Sequence, residues 1–248
     1  MLDIHCHILP GVDDGPRTLE EALDIARFCV RDGITHVVAT PHCSRPFHWL
    51  RADILPRVAQ LNEALRSADL ALRVFPGSEI QLYDLDLYRR EYEVGAYCHL
   101  GDDPAFTLLE CPWHVRDYLP SAPQHVRWLR ERGTQAIVPH PERHNYFQDD
   151  PDRLRALVDA GAWVQITVDS LIGNHGAAPL EAGWELLEEY PNVVLASDAH
   201  GQGRCSGLSV GYDAVRERLG AGRVEDLKTR VNRILERLLL AKDNAAAV

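Results

Sequence analysis

Strand-like and helix-like stretches alternate along this chain from one end to the other. Short apolar or β-branched runs occur at residues 2–4, 36–39, 72–75, 106–109, 136–138, 163–167 and 193–196, and amphipathic stretches fill the intervals. An antiparallel pair can be joined by a two-residue turn, whereas parallel strands need a crossover of a dozen residues or more. Intervals this long therefore imply an α/β fold with a parallel sheet. Seven such units in 248 residues fit a closed barrel better than an open doubly wound sheet with a second domain. No linker, repeat or low-complexity tract interrupts the pattern, so a single domain over residues 1–248 is expected.

Local signals place the helices. Thr18-Leu-Glu-Glu21 reads as a capping box opening a helix that runs to about Arg31 and stops at Gly33. Similar patterns cover roughly residues 52–67, 123–132, 151–160, 180–189, 212–219 and 224–240, and a helix near residues 84–92 fills the longest interval. That helix puts Asp84 and Asp86 away from any strand end, which argues against an aspartyl-phosphate nucleophile there.

Composition removes several chemistries. The net charge of −11 argues against a nucleic-acid backbone or an anionic membrane as partner. No apolar run approaches the ~20 residues of a membrane span and the N-terminal residues lack signal-peptide character, so a cytoplasmic protein is expected. Cys6, Cys29, Cys43, Cys98, Cys111 and Cys205 form no C-x-x-C pair and read as reduced thiols. Lysine occurs only at Lys228 and Lys242, which excludes a phosphate-binding loop ending in Lys-Ser/Thr, mid-chain Schiff-base chemistry and a carbamylated-lysine bridge. No cysteine has arginine six residues later, so a cysteine-phosphatase loop is absent too.

Chemistry in a parallel barrel collects at the C-terminal ends of the strands. The seven runs are followed in turn by His5-Cys-His7, His42, Glu79, Glu110, His140-Pro-Glu-Arg143, Thr167-Val-Asp169 and Asp198-Ala-His200. Six of these ends deliver imidazole or carboxylate to one rim; Asp169 is the weakest of the set. Taken singly, H-x-H can be surface decoration, and a lone glutamate a cap or a partner for arginine. Together they indicate a metal cluster, because independent decoration has no reason to favour one end of nearly every strand. Five histidines and at least four carboxylates exceed the needs of one tetrahedral ion, so two or three divalent ions are implied. Nitrogen and oxygen donors without thiolate suit manganese, iron or zinc; Cys6 faces the opposite side of its strand from His5 and His7. His36, His48, His99, His114, His125, His144 and His175 read as structural or solvent-facing.

Asp3-Ile-His5-Cys-His7, Pro10-Gly-Val-Asp13-Asp14-Gly15, Thr40-Pro-His42, Gly77-Ser-Glu79, Leu109-Glu110-Cys-Pro, Pro139-His140-Pro-Glu-Arg143 and Ser197-Asp198-Ala-His200 occur together. In this combination the chain resembles the PHP (polymerase and histidinol phosphatase) superfamily, most closely its bacterial tyrosine-phosphatase branch of the CpsB/CapC type. The resemblance runs from residue 1 to about 240. It implies a distorted (β/α)7 barrel with a trinuclear centre, manganese being the favoured metal. By the resemblance, one ion takes His5, His7, Glu79 and Asp198, and a second shares Glu79 and adds Glu110 and His140. A third takes His42, His200 and an aspartate from Asp13-Asp14, with alignment favouring Asp14. Arg143 and Arg204 match phosphate-orienting arginines.

The mechanism so implied is attack on a phosphomonoester by a metal-activated water, without a covalent phosphoenzyme. Three divalent ions would make the site positive within an acidic protein. The partner implied is a phosphotyrosine-containing protein, a bacterial tyrosine kinase controlling capsule or exopolysaccharide export. Histidinol-phosphate or other small-molecule phosphatase activity on the same centre is the alternative, and a silent module binding a phosphorylated partner is a third reading. Gly201, the short loop to Arg204, and Asp169 depart from the family pattern and bear on substrate fit.

Overall fold

The computed structural model describes residues 1–201, 203, 204 and 206–246; Cys205, expected as a reduced thiol, lies outside the described residues. The strands are β1 (Leu2–Cys6), β2 (His36–Ala39), β3 (His42–Cys43), β4 (Arg73–Pro76), β5 (Glu79–Gln81), β6 (Phe106–Glu110), β7 (Gln135–Pro139), β8 (Trp163–Thr167) and β9 (Val193–Ala196). All pair in parallel, in the orders β1-β2-β4 and β3-β5-β6-β7-β8-β9.

The strands expected at 36–39 and 72–75 are present as β2 and β4, and each is followed after two residues by a further short strand, β3 or β5, that was not expected. Thr40 and Pro41 separate β2 from β3, where proline cannot donate to a ladder. Gly77 and Ser78 separate β4 from β5. A Cβ on Gly77 would lie 2.6 Å from Val38 Cγ1 and 3.2 Å from the Ala39 carbonyl, so the two kinked strands cross closely and only glycine fits. Each break passes the chain from the first sheet to the second. The other edges join where Cys6 bridges Ala199, with His7 N–H donating to Ala199 O (2.9 Å) and Asp198 N–H to His5 O (2.9 Å). The strands therefore close into a ring.

Residue alternation divides the packing into two layers. Leu2, Ile4, Val38, Phe75, Leu108, Ile137, Val194 and Ala196 form an inner cluster with Val231, Ile234 and Leu238 of the last helix (Ala221–Ala246). Val37, Val74, Leu109, Val138, Val164, Ile166 and Leu195 belong to the larger outer cluster, against the crossover helices. Phe106 and Trp163, at the starts of their strands, pack against the inner cluster, so the last helix closes the N-terminal mouth and leaves the C-terminal rim open.

The helix Leu19–Arg31 shows how local sequence sets a boundary. Thr18 Oγ1 accepts from Glu21 N–H (3.2 Å), but Glu21 reaches back to Arg17 N–H (2.6 Å) instead of Thr18, so only half of the expected capping box forms. Gly33 ends it in the left-handed region (φ 80°). Asp84 caps Leu85–Glu93 through Leu87 N–H (2.9 Å), a structural role that accounts for it.

Candidate metal centre

The rim residues continue the inner layer. Leu108 leads to Glu110, Trp163 to Gln165, and Ala196 to Asp198, each two residues further along its strand line. In β1 the register against β2 shifts between Asp3 and Cys6, which lets His5 follow the inward-facing Ile4. His140 and Asp198 hold left-handed backbones (φ 37° and 52°), at a cost on the order of 1–3 kcal/mol each. The turn bearing His140 and Arg143 is anchored by buried Glu142, whose Oε1 accepts from Thr167 N–H (3.0 Å) and Ser170 Oγ–H (2.8 Å).

Four interlocked sets of side chains bring donor atoms within 4.8 Å of one another: His5, His7 and Asp198; His5, Glu79 and His140; His42, Glu79 and Glu110; and His7, Asp14, His42 and His200. Glu79 is shared. Its Oε1 lies 2.7 Å from His140 Nε2, and its Oε2 lies 2.8 Å from His42 Nδ1 and 3.5 Å from Nε2 of both His5 and His7. Asp198 Oδ1 lies 3.3 Å from His5 Nε2 and 3.4 Å from His7 Nε2. Asp14 Oδ1 lies 3.3 Å from His42 Nε2 and 3.2 Å from His200 Nε2. All nine residues singled out as ligands in the sequence are brought together.

The donor chemistry fits divalent cations. Glu79 Oε2, Glu110 Oε1 and His200 Nε2 are buried without a hydrogen-bond partner, although Glu79 Oε2 and His200 Nε2 have neighbours within ion-pair distance. Lone pairs converging without hydrogen-bond geometry are what a cation satisfies. Three rings are also tied from behind: His5 Nδ1 to Gln165 Oε1 (2.7 Å), His7 Nδ1 to Asp13 Oδ2 (2.8 Å) and His200 Nδ1 to the Asp198 carbonyl (2.8 Å). With those protons on Nδ1, each Nε2 presents its lone pair to the cluster.

Charge is distributed unevenly. Burial opposes ionisation of Glu79, yet His5, His42 and His140 hold its carboxyl well below the usual range. Burial and the charge of Glu79 push Glu110 up to about 8, and burial lowers His140 to about 4. Arg143 and Arg204 meet at one oxygen, Asp198 Oδ2, at 2.6 and 3.2 Å, and Arg204 lies 3.7 Å from Asp14.

Family comparison converges with this geometry. Residues 1–235 match the model of the family described as capsular polysaccharide synthesis, CpsB/CapC. The chain belongs to the CpsB/CapC family. Among family relatives, tyrosine-protein phosphatase YwqE of Bacillus subtilis (strain 168) is 35% identical over 206 residues, 81% of this chain and 77% of that one. Tyrosine-protein phosphatase CpsB of Streptococcus pneumoniae is 25% identical over 237 residues, 92% and 94% of the two chains. One of the crystal structures of YwqE and CpsB, described as unique metal-dependent tyrosine phosphatases, superposes with a TM-score of 0.88 at 31% identity, covering 95% of this chain and 94% of that one. An organophosphorus hydrolase from Deinococcus radiodurans shares the fold at a TM-score of 0.52 and 16% identity, over 91% and 89% of the chains.

Sequence reasoning missed the supports of this CpsB/CapC centre. Gln165 was legible only as a polar residue on the inward side of an apolar strand. Asp13 was legible only as the alternative to Asp14 for a ligand, whereas its carboxylate backs the His7 ring. Among the histidines expected to be structural or solvent-facing, His99, His125 and His144 are buried, while His175 hydrogen-bonds Ser170 Oγ (3.0 Å). Asp169 lies in the short helix Val168–Leu171 and accepts from Asn174 Nδ2 (2.7 Å) and Ser206, outside the ligand sets.

Proposed function

We propose that this chain is a metal-dependent protein-tyrosine phosphatase, a single catalytic unit over residues 1–248. Its substrate is a phosphotyrosine-containing protein, a bacterial tyrosine kinase governing capsule or exopolysaccharide synthesis. The observation that carries the reading is the shared carboxylate of Glu79 at the meeting point of ligand sets drawn from six strand ends, beside two arginines. Family membership supports the substrate class. Free, buried thiols at Cys43, Cys98 and Cys111 support a cytoplasmic setting, and among the described residues no helix is long and apolar enough to cross a membrane.

The ligands are His5, His7, Asp14, His42, Glu79, Glu110, His140, Asp198 and His200, holding two or three divalent ions, with manganese favoured over iron or zinc. When bound, such ions supply an acidified water and offset phosphoryl charge. Gln165 and Asp13 fix the tautomers of His5 and His7. Arg143 and Arg204 present planar donor forks to phosphoryl oxygens while Asp198 holds both at the same edge. Seven of the nine ligands are buried, all but Asp14 and His42, which keeps their charges in a weakly screening environment where each donor counts for more than in water.

The test is the initial rate of phosphate release by manganese-reconstituted protein on a phosphotyrosyl peptide, a phosphoseryl peptide and histidinol phosphate, with His5→Ala/His7→Ala as control. Preference for phosphotyrosine, lost in the control, is expected. Preference for histidinol phosphate would assign a small-molecule phosphatase, and silence on all three with metal bound would leave a phospho-partner binding module.

A further inference from the structure

A cavity of about 570 Å3 opens directly beside the ligand cluster. Its lining includes the ligands His42 and Glu110, the aromatic rings of Phe47 and Trp113, and the charged side chains of Arg45, Arg116 and Asp117. A phosphoryl group held at the cluster fills little of that space, which is of the size that encloses a small organic ligand. We propose that this cavity seats the aromatic ring of a phosphotyrosyl peptide against Phe47 and Trp113, and that Arg45 and Arg116 select acidic residues flanking that tyrosine. The proposal rests on the phosphotyrosine reading above and adds the sequence context of the substrate.

Two aromatic faces carry the first half. Trp113 is 42% exposed, yet its ring is held nearly parallel to His140 (centroids 5.2 Å, 17°) and His144 (4.4 Å, 23°). Phe47 is nearly parallel to His42 (6.0 Å, 18°). Both rings are therefore fixed to imidazoles at or next to the cluster, so a substrate ring that enters by this cavity with its phosphoryl group at the ligands lies against them. Rigid, partly exposed aromatics make contact area at little entropic cost.

The arginines carry the second half. Arg45 is exposed, lies over the Tyr83 ring (4.9 Å) and has no carboxylate partner among the described residues. Arg116 has only the neighbouring, exposed Asp117 at 3.7 Å, a contact of little worth. Elsewhere on this acidic chain arginines commonly sit on carboxylates, as Arg27, Arg51 and Arg155 do. Two weakly engaged guanidinium groups lining one cavity supply local positive charge where the protein as a whole repels anions.

Binding of non-hydrolysable phosphonomethyl-phenylalanyl peptides to the metal-loaded full chain, read by fluorescence anisotropy, tests both halves. A peptide with glutamates flanking the aromatic residue is expected to bind about fivefold tighter than one with glutamines, and high salt should erase the difference. Arg45→Gln/Arg116→Gln, two exposed positions, should abolish that preference. The phosphonate analogue of phosphoserine in the same sequence should bind about fivefold more weakly, and Phe47→Ala should narrow that gap. Equal affinity for acidic and neutral flanks, or a preference that survives the double substitution, would overturn the proposal. Hydrolysis of phosphotyrosyl peptides without any flank preference would leave the phosphatase reading standing and remove this one; the reverse pattern, selective binding without turnover, would do the opposite.

Discussion

Asp13 and Asp14 are adjacent in the chain but address opposite sides of the imidazole cluster. Asp13 Oδ2 accepts from His7 Nδ1 at 2.8 Å and from His42 N–H at 3.1 Å, and its Oδ1 accepts from Gly15 N–H at 3.0 Å. Its oxygens are committed to holding the scaffold. Asp14 Oδ1 instead faces Nε2 of both His42 and His200. The arrangement follows from the turn at Gly15, where a Cβ would lie 2.4 Å from the His7 carbonyl; only glycine lets the loop fold this tightly onto His7.

This division predicts different failures. Asp14→Ala should lose one equivalent of bound metal, measured by elemental analysis, together with phosphatase activity. Asp13→Ala should retain the ligand set but weaken metal affinity or activity about 10–100-fold, because the His7 ring loses the group that orients it. Loss of a full equivalent in Asp13→Ala with normal loading of Asp14→Ala would reverse the two roles.

Arg143→Ala should leave metal content unchanged while lowering kcat/KM about 100-fold, the scale of losing one donor to developing phosphoryl charge. Arg143→Lys should recover only part of this, since a point charge replaces a planar fork. Arg143 also touches Asp198 at 2.6 Å, so loss of metal in the alanine variant would show instead that it acts by holding that carboxylate.

Much of this centre was legible because a parallel barrel converts sequence order into spatial convergence. His5, His42, Glu79, Glu110, His140 and Asp198 each follow an apolar run, and no knowledge of register is needed to place them on one rim. The kinks after Ala39 and Pro76 were less visible: Pro41 and Gly77 mark them, but the short strands His42–Cys43 and Glu79–Gln81 that follow are too brief to carry an apolar pattern. The supporting residues were illegible for a different reason. Gln165 differs from an ordinary strand residue only by facing inward, and that depends on a ring closure stabilised by contacts from opposite ends of the chain.

Metal removal should destabilise the fold as well as silence it. A ligand that binds only the native state at about 100 times its dissociation constant contributes roughly 2.7 kcal/mol. Chelated protein should therefore melt at lower temperature than manganese-loaded protein, and the difference should shrink in His5→Ala/His7→Ala. An unchanged melting temperature on chelation of a demonstrably loaded sample would mean that the described donors do not hold the ion.

Acid stability provides a test far from the cluster. His125, in the helix Ala122–Glu131, is fully buried, with Tyr88 edge-on at 4.4 Å, Trp128 stacked at 5.2 Å and no hydrogen-bond partner for either ring nitrogen. Burial, aided by the charge of Arg89, lowers it to about 3. The folded ring stays neutral while the unfolded ring takes up a proton near the ordinary value of about 6.5. Between those two values the unfolded state binds more protons, so this residue's contribution makes stability fall as pH drops from about 6.5 towards 3. His125→Phe keeps the aromatic volume and removes the titration. Urea midpoints at pH 7 and pH 4.5 should show a smaller acid loss in the variant than in the parent; equal losses would mean that the imidazole is protonated within the fold or that another group dominates this window.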